Sequence, residues 1–180
     1  MNIHPLFVHF PIGLLVVYSL LELGGYLLPA LRRQVWVFPV KVFLLFGGVL
    51  AAFAALVTGG LAKELIETAG ADPNLVIVEV HSSFAVATTL LYLLIAVAYL
   101  IRIADTRWGN CDADPNGFFM RLWGFKKWLA QLILDTPLLP ALALLALAGI
   151  TVTGALGAAI VYGPDVDPFV SFIYRLFVAP

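Results

Sequence analysis

The sequence contains few charged residues and a single cysteine. Asp, Glu, Lys and Arg make up 12% of its 180 residues, whereas soluble domains carry about 25%. One cysteine, Cys111, excludes a disulfide within the chain, a C-x-x-C-H attachment motif for covalent haem and a thiolate-bound iron–sulfur cluster. The net charge of −1 leaves no basic stripe to neutralise phosphates, so nucleic acid is excluded as a partner.

Hydrophobic residues dominate what is present. They form 62% of the chain, and the mean hydropathy is +1.02. A helix of roughly 20 apolar residues crosses the hydrocarbon core, and four segments reach that length, at residues 5–28, 40–61, 73–103 and 138–162. We therefore predict an all-α integral membrane protein in which residues 1–180 form one domain, a four-helix transmembrane bundle. The first run lacks the basic start of a cleavable signal peptide.

A fifth helix is predicted between spans three and four. Residues 117–134 place apolar side chains at the helical period, with Trp123 and Trp128 beside Lys126 and Lys127. Such a segment is too charged to cross the bilayer and favours its surface. Eight of the ten Lys and Arg lie in or next to the connections between spans one and two and between spans three and four. By the positive-inside rule we expect a bacterial inner-membrane protein with both termini periplasmic and this amphipathic helix on the cytoplasmic surface.

Short motifs near the span ends are specific enough to suggest a family. Residues 4–13 read His-Pro-Leu-Phe-Val-His-Phe-Pro-Ile-Gly, and later motifs are Thr58-Gly59-Gly60, His81 with Ala85, the stretch from Thr153 to Gly157, and Tyr162-Gly163. With these motifs the whole chain resembles a family of bacterial four-helix predicted membrane proteins. That domain of unknown function occurs alone or joined to Rieske iron–sulfur or cytochrome c domains. The resemblance implies a redox setting.

The histidines are placed as a haem site requires. Odd-numbered spans begin on the same side of the membrane, so His9 and His81 lie near one face, each roughly 6 to 9 Å deep. Neutral histidines from two helices of a bundle are common axial ligands of b-type haem. Gly13 and Ala85 lie four residues after them and give each imidazole a small neighbour on its own helix face. We predict one haem b per chain, with His9 and His81 as iron ligands.

Small residues in the even-numbered spans are expected at the depth of the histidines. In span two a small residue recurs at every fourth position up to Gly59, and span four carries Gly154 and Gly157. We predict that these residues make room for the porphyrin. Helix packing alone also explains such a spacing of small residues. For the histidines, the alternatives to haem ligation are a metal or proton role and purely structural hydrogen bonding.

The sequence does not decide the roles of the other polar residues. His4 lies about 140° from His9 around the helix, so the two cannot ligate one iron together. It is an alternative ligand, a propionate contact, a quinone-site hydrogen bonder or an interfacial residue. Glu22 pairs with Arg32, Arg33 or Lys41, or takes part in a proton path. Glu79 orients a histidine or meets the headgroups. Residues 112–117 resemble half of a calcium loop, but Trp123 stands where a bidentate Glu is needed, so an ordinary turn is favoured.

Three functions are compatible with this pattern. The first is a b-type cytochrome that passes electrons between membrane quinol and a periplasmic cytochrome c or Rieske protein, an electron-transfer role rather than conversion of a substrate. The second is a cofactor-free accessory or assembly subunit of a larger membrane complex. The third is a small transporter, which lacks the expected chain of intramembrane charges. Membrane lipids are expected partners, and a quinone, a homo-oligomer and a larger complex remain candidates.

Overall fold

The computed structural model describes residues 4–68, 75–108 and 118–179. All their regular secondary structure is helical, with no strand in these three ranges. The helices are α1 (His4–Leu27), α2 (Pro29–Arg32), α3 (Val37–Thr68), α4 (Leu75–Trp108), α5 (Phe118–Leu134), α6 (Leu138–Tyr162) and α7 (Pro168–Phe177). The predicted all-helical fold is confirmed. Cys111, the calcium-like segment 112–117 and the predicted start of span three at residue 73 lie outside the described residues.

Four of these helices are long and apolar enough to cross a membrane. They are α1, residues Val37–Leu65 of α3, residues Leu75–Arg107 of α4, and α6, so the predicted four spans are confirmed. Helix α3 is longer than the predicted 40–61, because Pro39 is tolerated within the first turn and the charged Lys63 and Glu64 end the apolar run without ending the helix. Length of an apolar run and length of a helix are separate quantities.

The four spans form a ring in which each helix contacts two others. Helices α1 and α4 each pack against both α3 and α6, and the most extensive contacts are α1 with α3 and α4 with α6. The interior is filled by large side chains from all four spans, among them Leu15, Tyr18, Leu45, Tyr92 and Ile150. The bundle thus has one end where α1 and α4 begin, called here the histidine end, and an opposite end, called the charged end.

Glycines set the closest helix contacts. A Cβ placed on Gly48 of α3 would lie 2.5 Å from Cδ2 of Leu15 in α1, and a Cβ on Gly149 of α6 would lie 2.4 Å from Oγ1 of Thr88 in α4. Both distances are far below van der Waals contact. The two most extensive helix pairs therefore depend on positions without a side chain, as is common between membrane helices.

Helices α5 and α7 lie at opposite ends of the bundle. Helix α5, predicted at residues 117–134, spans Phe118–Leu134 and is tied to α4 by Lys127 Nζ and Asp105 Oδ1, 2.8 Å apart. Its position on the cytoplasmic surface stays a prediction. Helix α7 begins at Asp167, whose Oδ1 accepts hydrogen bonds from the backbone N–H of Phe169 and Val170. Its buried face packs on α4 and α6 at the histidine end.

Candidate functional site

His81 lies in the second turn of α4 and contacts α6. Its Nδ1 is 3.0 Å from the backbone carbonyl oxygen of Thr153, and its side chain is half-buried. A carbonyl oxygen only accepts, so Nδ1 is the donor and carries the proton. The neutral ring then keeps its lone pair on Nε2, the nitrogen that most often coordinates metal when Nδ1–H is held by a carbonyl.

His4, the first residue of α1, makes the equivalent contact with α3. Its Nδ1 lies 3.1 Å from Oγ1 of Thr58. The Thr58 hydroxyl also lies 3.0 and 3.1 Å from the carbonyl oxygens of Ala54 and Ala55, which accept hydrogen bonds from it. His4 and His81 therefore each contact a threonine of the neighbouring spanning helix through Nδ1.

Two glycines allow the imidazoles to lie directly against a neighbouring helix. A Cβ on Gly59 would lie 3.1 Å from Cε1 of His4, and a Cβ on Gly157 would lie 3.3 Å from Cε1 of His81. Gly59 and Gly157, both predicted as site residues, thus border the two histidines that face neighbouring helices at this end.

The structure does not bring His9 together with His81. The His9 side chain is exposed on α1, and its Nδ1 lies 2.7 Å from the carbonyl oxygen of Pro5 on the same helix. Because His4 and His9 point about 140° apart, only one of them faces the interior, and that one is His4. Cβ atoms added at Gly13 and Gly154 would have nothing within 4 Å. Ala85 is half-buried and its carbonyl accepts from Thr89 Oγ1 at 2.8 Å.

The acceptors for the histidines were not identified from the sequence. Thr58 precedes Gly59, and Thr153 lies four residues before Gly157. A threonine one residue or one turn before a glycine was therefore the sequence feature that could have pointed to these acceptors. Thr58 and Thr153 both also bond back to their own helices, which fixes the local geometry that receives each ring.

Glu22 lies far from the histidines, at the charged end. Its buried carboxylate pairs with Lys41 Nζ, and its Oε1 accepts a hydrogen bond of 2.7 Å from Tyr99 Oη. Of its predicted cation partners, the structure selects Lys41. Glu79, predicted either to orient a histidine or to meet the headgroups, has an exposed side chain.

The described residues contain no group of three or more His, Cys, Asp or Glu side chains able to hold a metal ion. An all-protein metal cage built from them is therefore excluded in these ranges. The histidine end contains one half-buried imidazole from each of two helices.

The profile of a family described as "Predicted membrane protein (DUF2231)" matches residues 1–167 of the 180. The chain belongs to this family. The resemblance inferred from the short motifs is thereby confirmed, and the matched DUF2231 region contains all four spans, both histidines and both neighbouring glycines. Comparisons with curated proteins and with solved structures gave no match.

Proposed function

We propose that this protein binds one haem b at the histidine end and passes electrons between membrane quinol and a periplasmic carrier such as a cytochrome c or Rieske protein. The observation that carries the proposal is the arrangement of His4 and His81. They lie on different spans, are half-buried, and each has Nδ1 within hydrogen-bond distance of a threonine of the neighbouring helix.

The donor set suits a haem better than a bare ion. A haem iron has four porphyrin nitrogens and needs only two axial ligands, whereas a structural metal ion needs about four from the protein. Hydrogen bonds at Nδ1 orient an axial imidazole and increase its basicity. In this proposal the Thr153 carbonyl and the Thr58 hydroxyl have that role.

The axial ligands proposed are His4 and His81, with His9 as the alternative to His4. The pair predicted from the sequence, His9 with His81, rested on matched depth. The glycine beside each ring and the exposure of the His9 side chain favour His4. A haem b bound there would supply one-electron redox chemistry. The chain's own residues would hold the imidazoles, and the apolar spans would keep water away.

The side of the membrane on which the proposal puts the site comes from the distribution of charge. Eight of the ten Lys and Arg lie towards the charged end, in or beside α2, α5, the start of α3 and the end of α4. The positive-inside rule then assigns the histidine end to the periplasm, where a carrier such as cytochrome c would dock.

The decisive experiment is an absorption spectrum of the purified full chain from haem-supplemented cells. We expect a Soret band and the sharp reduced-state bands of a low-spin haem. His4→Ala and His81→Ala should lose haem or give a high-spin spectrum, while His9→Ala, the matched control on α1, should keep the low-spin bands. Loss in His9→Ala with retention in His4→Ala would restore the sequence-derived pair. A colourless wild-type protein would overturn the haem proposal.

A second candidate function is a cofactor-free subunit of a larger membrane complex. The supporting observation is that the imidazoles already have hydrogen-bond partners on adjacent helices, so they satisfy a structural role without a cofactor. In that case the protein would be colourless, and His81→Ala would lower its thermal stability without a spectral change. Mild-detergent purification would then retain a stoichiometric partner.

A further inference from the structure

A cleft of about 300 Å³ opens at the charged end, away from the histidines. It is lined by residues of α1, α2, α3 and α4, and by residues 134–140, which include the end of α5 and the start of α6. Its volume is at the lower bound of typical small-molecule sites. Five charged side chains line it, namely Glu22, Arg32, Lys41, Arg102 and Asp135.

The charges in this cleft do not cancel. Glu22 pairs with Lys41, and Asp135 pairs with Arg102. Arg32 lines the same cleft, and no ion pair joins it to a carboxylate among the described residues. Three cations and two carboxylates leave the lining with a charge of +1. One monoanion would therefore neutralise the cleft.

The rest of the lining is apolar and aromatic. Tyr26 and Phe38 border the cleft and remain about half exposed on the outside of the bundle, beside Leu139 and Pro140. These residues lie at the ends of membrane-spanning helices, at the depth where lipid headgroups meet acyl chains. Basic pockets between transmembrane helices are recurrent sites for anionic headgroups, and the planar guanidinium of arginine matches a phosphate with two hydrogen bonds.

We propose that this cleft binds one anionic phospholipid, with its phosphodiester held by Arg32 and its acyl chains along Tyr26 and Phe38. The phosphodiester supplies the single negative charge that the lining lacks. The aromatic rim favours a lipid over free phosphate, because inorganic phosphate would gain nothing from Tyr26 or Phe38. This site is independent of the haem proposal, since none of its residues contacts His4, His9 or His81.

Native mass spectrometry of the detergent-purified full chain tests the assignment. The probes are dioleoyl phosphatidylglycerol, dioleoyl phosphatidylcholine and inorganic phosphate, each added separately and in competition. We expect the wild type to retain phosphatidylglycerol in preference to phosphatidylcholine. Arg32→Gln should lower that retention about tenfold, as loss of a charge-assisted hydrogen bond predicts. Arg33→Gln removes the same charge from the neighbouring position, which does not line the cleft, and should leave retention unchanged.

Three results would overturn the proposal. Equal retention of the two lipids would show that the headgroup charge is not recognised. An equal loss in Arg33→Gln would assign the effect to general surface charge. Displacement of phosphatidylglycerol by an equal concentration of inorganic phosphate would make free phosphate, and not a lipid, the occupant.

Discussion

Gly149 of α6 faces Thr88 of α4 so closely that a methyl group on the glycine would come within 2.4 Å of the threonine hydroxyl. Thr88 is buried and β-branched, so it has few alternative rotamers into which it can move. The contact between these two helices therefore depends on the absence of one side chain.

Gly149→Ala should destabilise the bundle by about 1–3 kcal/mol, the usual cost of overpacking, measured by denaturant unfolding in micelles. Gly154→Ala is the control, because it lies on the same helix and a Cβ there has nothing within 4 Å. We expect that control to be neutral or slightly stabilising, since alanine favours helix. Equal losses in both variants would mean that the close approach to Thr88 is unimportant.

Glu22→Gln should destabilise the protein by about 3–5 kcal/mol, because it leaves the largely buried Lys41 ammonium without its carboxylate. Replacing both residues, as Glu22→Gln with Lys41→Met, should recover much of that loss, which a double-mutant cycle measures. The more exposed pair Asp105–Lys127 is the comparison, and Asp105→Asn should cost no more than about 1 kcal/mol. Similar costs at the two pairs would contradict the argument from burial.

Gly59→Val and Gly157→Val should each displace the imidazole that lies against the glycine. A Cβ already comes within 3.1 or 3.3 Å of the ring, and the valine methyl groups need further space. We expect haem content to fall in both variants while membrane insertion is unchanged, as measured by pyridine haemochrome assay and membrane fractionation. Gly60→Val is the control next to Gly59, because a Cβ there meets nothing. Normal haem content in both site variants would mean that these glycines serve only helix packing.

Asp167→Ala should weaken the start of α7 by about 1 kcal/mol, because two backbone N–H groups lose their acceptor. The measurement is amide hydrogen exchange across residues 168–177, which should become faster. Asp165→Ala removes a nearby exposed carboxylate that does not cap the helix and should leave exchange unchanged. If the two variants behave alike, local charge and not capping controls α7.

The predicted orientation can be tested with the single native cysteine, Cys111, which lies between α4 and α5 in the sequence. In intact cells a membrane-impermeant maleimide should not label it. A Cys111→Ser, Asp165→Cys variant moves the thiol to the connection between α6 and α7, at the histidine end, and should be labelled. The reverse pattern would invert the topology and turn the histidine end towards the cytoplasm.

The spans and α5 could be predicted because long apolar runs and the helical period are properties of local sequence. The rotation of α1 about its own axis could not. His4 and His9 are both compatible with an inward position until the face of α1 that packs on α3 is known, and that depends on Leu15 meeting Gly48 three turns away. The cleft beside Arg32 was also unpredictable, since five separate segments assemble it.

The hydrogen bonds of the two histidines divide the chain into a first and a second half. His4 is bonded to Thr58 within the α1–α3 pair, and His81 is bonded to Thr153 within the α4–α6 pair. The His4 contact with Thr58 thus joins two helices that are both synthesised before α4. The second half lies wholly between Leu75 and Tyr162. If the chain were co-expressed as two polypeptides divided between residues 68 and 75, each polypeptide would carry one histidine together with its threonine acceptor.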